Sequence, residues 1–357
     1  MVGRAVGGRD MSREANVAVV GATGAVGQEA VALLEERGFP VGRLVLLGSG
    51  RSAGTEMSFR GKVHRVQPLA QEGFEGIDLV LSAPGASVSR EFAPRAVAAG
   101  AVVIDKSSAF RMDPDVPLVV PEVNGEAALA HRGIVSSPNC STIPLVVCLL
   151  PLHRAFGIRR VVVSTYQAVS GAGRRGGEEL FQQTLALLNH RPIETVAFPH
   201  QVAFNVLPQV ETFRPEDGGY TTEEVKIVQE SRRILGMPDL RLTATAVRVP
   251  VLNGHSESVN VELERPASVE EAREVLGQAP GIAVVDDPAG GEYPMPLEAT
   301  GRDDVLVGRI RQDPTVPAGL NLWLSCDNLR KGAALNAVQI AELLWSRGAA
   351  GRRAQGG

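Results

Sequence analysis

Apolar positions fall into two rhythms along this chain, and their order suggests an architecture. Asn16 to Val20 is an apolar run that reads as a buried strand, and it leads into Gly21-Ala22-Thr23-Gly24-Ala25-Val26-Gly27. Gln28 to Arg37 then carries helical spacing up to Gly38. Leu44 to Leu47, Leu79 to Ser82, Val102 to Asp105 and Ile134 to Ser136 read as further short buried strands, with helices such as Ser89 to Ala99 between them. This alternation predicts an α/β fold, a doubly wound parallel sheet. From about Cys140 the texture changes. Thr142 to Phe156 is spaced as a helix despite Pro144 and Pro151, Val161 to Ala168 is a β-branched strand, and alternating strands recur at Leu242 to Val249 and Glu257 to Leu263. That pattern predicts a second, α+β domain with a mixed sheet. Ala333 to Trp345 reads as a terminal amphipathic helix whose packing partner the pattern leaves open.

Composition adds bounds. A chain of 357 residues, 44% hydrophobic and 21% charged, exceeds what one core usually organises, so two domains are expected. A net charge of -4 supplies no extended basic surface for nucleic acid and favours a small-molecule substrate. Cys140, Cys148 and Cys326 are too few and scattered for a disulfide framework, and no Cys/His cluster has metal-ligand spacing. Reduced thiols in the cytoplasm, and no metal, are the expectation. No apolar stretch approaches the roughly twenty residues of a membrane span, and Met1 to Glu14 lacks an apolar signal core. That segment reads as a disordered extension, with Met11 an alternative start, and the Gly/Arg-rich end after Ser346 reads as another.

Two segments carry candidate chemistry. Closely spaced glycines after a strand let backbone approach a pyrophosphate, and the helix that follows offers its N–H groups and positive dipole end. Such turns also serve tight packing alone. A carboxylate normally ends the second strand of an NAD site. Here Gly48-Ser49-Gly50-Arg51-Ser52 has none, and Arg51 with two hydroxyls suits a 2′-phosphate unless it is a solvated loop residue. The second segment is Ser137-Pro138-Asn139-Cys140-Ser141-Thr142, between a strand and an apolar helix. A cysteine at a helix N-terminus has its thiolate stabilised, which makes it nucleophilic near neutral pH. Cys148, within an apolar helix, and Cys326, beside a strand, read instead as small core residues.

These segments stand in an ordered series with Ser107-Ser108-Ala109-Phe110-Arg111, Tyr166-Gln167-Ala168-Val169-Ser170-Gly171-Ala172-Gly173, Arg248 to Glu257 and Asp327 to Ala333. The series resembles the successive motifs of bacterial aspartate-semialdehyde dehydrogenases and covers nearly the whole chain apart from its two ends. The resemblance implies a Rossmann-like NADP domain over 15–139, completed by 328–347, and an α+β catalytic and dimerisation domain over 140–327. The stretches 1–14 and 348–357 are then disordered ends, and the assembly a homodimer, with a tetramer left open.

It also implies a chemistry. Cys140 thiolate attacks L-aspartyl 4-phosphate, phosphate leaves, and the thioester accepts hydride from NADPH to give L-aspartate 4-semialdehyde, on the route to lysine, threonine, methionine and diaminopimelate. Sulfur donates little electron density to a carbonyl, so a thioester is reduced more readily than a carboxylate. His255 matches the acid/base residue and Gln167 the substrate-positioning amide. Arg111 and Lys226 match the phosphate-binding positions, and Glu223, on the helical face of Lys226, is implied to read the substrate ammonium. Arg248 is implied to grip the α-carboxylate with a guanidinium fork, and Asn139 is implied to belong to the same substrate- and phosphate-binding set. Cofactor contacts are implied for Gly21, Thr23, Gly24, Ala25, Val26, Gly27, Ser49, Arg51, Ser52, Ser82, Gly85, Ser170, Gly171 and Asn328. Without the motifs His255 would read as a structural or surface residue and Glu223 with Lys226 as a surface pair. N-acetyl-glutamyl-phosphate reductase, glyceraldehyde-phosphate dehydrogenase and malonyl-CoA reductase share related chemistry. The first two are resembled less in the Cys140 and Arg248 to His255 segments, and the presumed phosphate pair Arg111 and Lys226 weighs against the third. An inactive homologue typically loses the nucleophile or its helpers, and here Cys140, Gln167, Arg248 and His255 all remain.

Overall fold

The computed structural model describes residues 13–70 and 73–350, and these form two compact units. The first comprises the chain up to Pro121, Gly125–Ser137 and the segment from Ala337 onward; the second comprises Glu122–Asn124 and Pro138–Asn336. Residues 328–336 therefore group with the second unit.

In the first unit β1 (Ala15–Val20), β2 (Val41–Gly48), β3 (Gln67–Pro68), β4 (Leu79–Ser82), β5 (Val102–Asp105) and β6 (Ile134–Ser136) form a sheet in the order β3-β2-β1-β4-β5-β6, and each pairing is parallel. Parallel strands need crossovers, which α1 (Ala25–Glu36) and α2 (Ala86–Ala98) supply. One core of this unit gathers Val20, Leu47, Val80 and Val103 with Phe74 and Phe92. The strand order turns outward on either side of β1 and β4, the kind of switch point where open α/β sheets bind ligands.

The two ends of the described chain are tied down inside this unit. Trp345 Nε1 donates to the Arg13 carbonyl at 3.0 Å, and His131 Nε2 lies 2.8 Å from the Ala349 carbonyl. The described residues thus include Arg13 and Glu14 at one end and Gly348 to Ala350 at the other. The rest of both expected extensions, 1–12 and 351–357, lies outside the described residues. The C-terminal helix, Leu335–Ser346, finds the partner that pattern alone left open: Glu342 takes a two-pronged ion pair from Arg37 at 2.8 and 2.9 Å.

The second unit is built on a mixed sheet. Its strands are β7 (Ile158–Gln167), β8 (Arg241–Arg248), β9 (His255–Leu263), β10 (Ile282–Val284), β11 (Val305–Gln312) and β12 (Gly319–Cys326), in the order β8-β7-β9-β12-β11-β10. β8 runs parallel to β7, whereas β9 is antiparallel to both β7 and β12. Side chains alternate across a strand, so Val161, Val163, Thr165 and Gln167 share one buried face of β7. α3 (Thr142–Phe156) has the expected bounds. Pro144 is tolerated in its first turn, where no intrahelical donor is required. Among the described residues no helix is long and apolar enough to cross a membrane.

Candidate active site

Strand register does the first work of assembly. Arg248 pairs with Gln167 and His255 with Cys326, while Ser256 opposite Tyr166 sets His255 next to Gln167. The ends of four strands thus present Arg248, Gln167, His255 and Cys326 in one row on the buried face. β9 begins at His255 rather than Glu257, and β7 stops before Ala168. The reason for the second is local: the Ala168 N–H donates to His255 Nδ1 at 3.1 Å instead of extending the ladder.

Cys140 is delivered to this row by the turn before α3. Asn139 Oδ1 accepts from the N–H groups of Ser141 at 2.8 Å and Thr142 at 3.4 Å, satisfying donors that an uncapped helix leaves open. Glu230 pins the same turn from outside by accepting from the Asn139 N–H at 2.6 Å. Cys140 Sγ then lies 3.5 Å from His255 Nε2. Because Nδ1 of His255 accepts a hydrogen bond, the ring proton belongs on Nε2 and faces the sulfur. The arrangement can stabilise a thiolate by donation and can later deliver a proton.

The other two cysteines differ physically. Both are buried, and burial pushes the Cys148 and Cys326 thiols well above the ordinary range, helped by Glu257 at Cys148 and by Asp327 at Cys326. Cys326 lies in the strand row itself, closer to the site than a residue beside a strand would be. None of the three cysteines is in a disulfide.

Arg248 is buried, and its Nη1 donates to the Ala168 carbonyl at 2.7 Å. Its Nε is buried without a partner, an orphan donor suited to an incoming anion. Burial lowers its pKa, opposed by the neighbouring charges of Cys140, Glu223 and Glu211, yet a guanidinium stays protonated. A Cβ at Gly171 would come within 2.9 Å of Arg248 Nη1 and 3.3 Å of the His255 ring, so glycine there keeps the space beside both groups open.

The remaining substrate candidates are more committed than the sequence suggested. Gln167 Nε2 donates to Ser141 Oγ at 2.9 Å and Glu223 Oε1 at 3.1 Å, so its donor end is engaged within the protein. Glu223 Oε1 also accepts from Asn139 Nδ2 at 2.9 Å. A capping box of Thr221 and Glu224 starts α4 (Thr222–Leu235) and places Glu223 and Lys226 on one face, as their spacing predicts. Lys226 Nζ sits 3.5 Å from Glu223 Oε2 but only 2.5 Å from Glu211 Oε1, a partner the sequence reading did not identify. In the first unit Arg111 is buried and gives Nε to the Ser137 carbonyl and Nη2 to the Lys106 carbonyl.

The glycine turn fits a dinucleotide. Gly21 has φ +79°, and a Cβ on Gly27 would lie 2.2 Å from the Gly21 carbonyl oxygen, so both positions demand glycine. The N-cap residues of α1 and α2 are glycines, Gly24 and Gly85, which carry no side chain to cap their helices, and a helix N-terminus of this kind suits an anion. Ser52 Oγ donates to the Ser49 carbonyl, folding their loop, and Arg51 is exposed. The Ser82 hydroxyl donates to buried Asp105 at 2.8 Å, alongside those of Ser89 and Ser107. In the second unit Asn328 Oδ1 accepts from the Gly254 N–H at 2.9 Å, and its Nδ2 donates to Ser170 Oγ at 2.9 Å.

Ser141, Ala168, Glu211, Glu230, Asp327 and Gly332 escaped the sequence reading. Ser141, Ala168, Asp327 and Gly332 stand inside the quoted motifs, which is the signal that could have found them, whereas Glu211 and Glu230 lie outside every quoted motif.

Comparison with known proteins places this geometry. Residues 16–131 match the family "Semialdehyde dehydrogenase, NAD binding domain", and residues 149–331 match "Semialdehyde dehydrogenase, dimerisation domain". The chain is 51% identical to the aspartate-semialdehyde dehydrogenase of Bacillus subtilis, over 94% of this chain and 98% of that one. It superimposes with a TM-score of 0.90 and 47% identity on aspartate semialdehyde dehydrogenase II of Vibrio cholerae complexed with ASA, covering 93% and 98% of the two chains. A more distant likeness, TM-score 0.72 and 27% identity over 94% and 100%, is to the Candida albicans enzyme with NADP.

Proposed function

Because this chain belongs to the aspartate-semialdehyde dehydrogenase family, we propose that it carries out the reductive dephosphorylation of L-aspartyl 4-phosphate to L-aspartate 4-semialdehyde through a thioester on Cys140, with NADP as cofactor. It acts as a cytoplasmic homodimer in amino-acid biosynthesis. The observation that carries the reading is the 3.5 Å approach of Cys140 Sγ to a His255 ring held from its far side.

The residues define the steps. Cys140 thiolate adds to the acyl carbon, the C–S bond forms, and the C–O bond to phosphate breaks as phosphate leaves. Arg248, with its orphan Nε, orients the α-carboxylate, and Gln167 and Asn139 keep Glu223 placed for the ammonium group. Arg111 and Lys226 supply positive charge for phosphate, Lys226 by loosening from Glu211. When bound, NADPH supplies the hydride that reduces the thioester; Gly21 to Gly27, Gly85, Ser49, Arg51 and Ser52, Ser170, Gly171 and Asn328 are the residues that would hold it. His255 holds a proton at Nε2 for the oxygen of the reduced carbon, and it steadies the thiolate that departs when the C–S bond reopens.

The test is phosphate-dependent oxidation of aspartate semialdehyde by the purified protein, followed by NADPH absorbance. Activity requiring both phosphate and NADP supports the proposal. Turnover of N-acetylglutamate semialdehyde or malonate semialdehyde in its place overturns it.

A further inference from the structure

Asp327 ties together two turns of this site through its carboxylate. Its Oδ2 accepts from Asn253 Nδ2 at 3.1 Å and from the Gly301 N–H at 2.8 Å. Its Oδ1 accepts from the N–H groups of Leu329 at 2.9 Å and Arg330 at 3.1 Å. The carboxylate is buried, and charge-assisted bonds of this kind are stronger than neutral ones.

Each arm leads to a reacting group. Asn253 and Gly254 form the turn into β9, whose first residue is His255. Asn253 Oδ1 also accepts from Ser170 Oγ, and the Gly254 N–H reaches Asn328, so the turn is fixed from several sides. The other arm starts the π-helical turn Arg330–Ala334. This wide turn brings Gly332 so near the nucleophile that a Cβ there would lie 3.2 Å from Cys140 Cβ. The Asp327 carbonyl accepts from the Gly332 N–H at 3.0 Å, closing the same turn. One residue therefore sets both the height of the imidazole and the floor beneath the thiol.

We propose that Asp327 is the positioning residue that registers His255 against Cys140, through the Asn253 turn on one side and the Gly332 turn on the other. The proposal rests on the acid/base reading of His255 given above.

Asp327→Asn is the informative change in the full chain. An amide oxygen can still accept from Leu329 and Arg330, but its NH2 then opposes the N–H groups of Asn253 and Gly301. Turnover is expected to fall by about ten- to a hundredfold while the KM for aspartate semialdehyde moves by less than about threefold, because misplacement of a reacting group acts mainly on the chemical step. The exchange Asn253→Asp with Asp327→Asn reverses donor and acceptor, restores the bond between the two positions while the Gly301 N–H stays opposed, and should regain part of the lost turnover. Thermal melting of each variant separates this from loss of folded protein. If Asp327→Asn keeps turnover within twofold of the parent, or if the exchange is no better than the single variant, Asp327 has no positioning role. His255→Asn distinguishes the two layers: normal turnover there removes the acid/base reading itself, whereas a damaged His255→Asn beside a normal Asp327→Asn removes only the present proposal.

Discussion

The Ala168 N–H donates to Nδ1 of His255 at 3.1 Å, and the carbonyl of the same residue receives Arg248 Nη1 at 2.7 Å. One residue's backbone therefore sets the tautomer of the imidazole and the position of the guanidinium. With Nδ1 occupied as an acceptor, His255 meets Cys140 as a donor, which favours a sulfur that is already a thiolate when substrate arrives. His255→Asn should lower turnover by about a hundredfold or more through loss of proton transfer. It should also slow alkylation of Cys140 at neutral pH, because the thiolate loses its donor. Steady-state rates and iodoacetamide labelling followed by mass spectrometry report both effects, and a variant unchanged in both would take His255 out of the chemistry.

Cys140→Ser should abolish turnover, since an alkoxide is scarcely populated at neutral pH and an ester is a poorer hydride acceptor than a thioester. Cys148→Ser and Cys326→Ser should keep most activity, because those thiols are buried and held in the neutral form by burial. Brief alkylation of the native protein is expected to mark Cys140 alone. Near-normal turnover in Cys140→Ser would end the covalent mechanism.

The two anionic ends of the substrate should separate kinetically. Arg248→Lys keeps the charge but loses the planar fork and the orphan Nε, so both the KM for aspartate semialdehyde and turnover should worsen. Lys226→Ala should chiefly raise the phosphate requirement in the oxidative direction, leaving the semialdehyde constant closer to normal. The check is a two-substrate analysis varying semialdehyde and phosphate independently. A reversed pattern would reverse the assignment of the two ends.

Glu257 follows His255 on the same face of β9, buried, with neither carboxyl oxygen hydrogen-bonded. Desolvation pushes its pKa well above the ordinary carboxylate range. The folded state therefore holds a proton that the unfolded chain releases near about pH 4.3, and the stability tied to that proton declines as pH rises above this value. Glu257→Gln removes the titration while keeping the shape. Its melting temperature relative to the parent should rise progressively between pH 5 and pH 8. A difference that stays constant across that window would mean that Glu257 does not titrate on unfolding.

Local pattern was enough for much of this protein. The βα unit at Gly21, the bounds of α3 despite two prolines, the shared face of Glu223 and Lys226, and the contrast between Cys140 and the two core cysteines follow from short-range rules of spacing, capping and burial. Side-chain chemistry within a few residues was legible because helices and strands have fixed periods. What tertiary structure alone decided is which strand lies beside which, and so which distant residues share a row. Arg248, Gln167 and His255 meet only because β8, β7 and β9 pair in one register, and a slip of one residue would turn each side chain to the opposite face. Lys226 finds Glu211, and Asp327 finds Asn253 and Gly301, across loops whose approach no local period encodes. The N–H of Ala168 carries no side-chain identity at all, so its hold on His255 became visible only once the chain was folded.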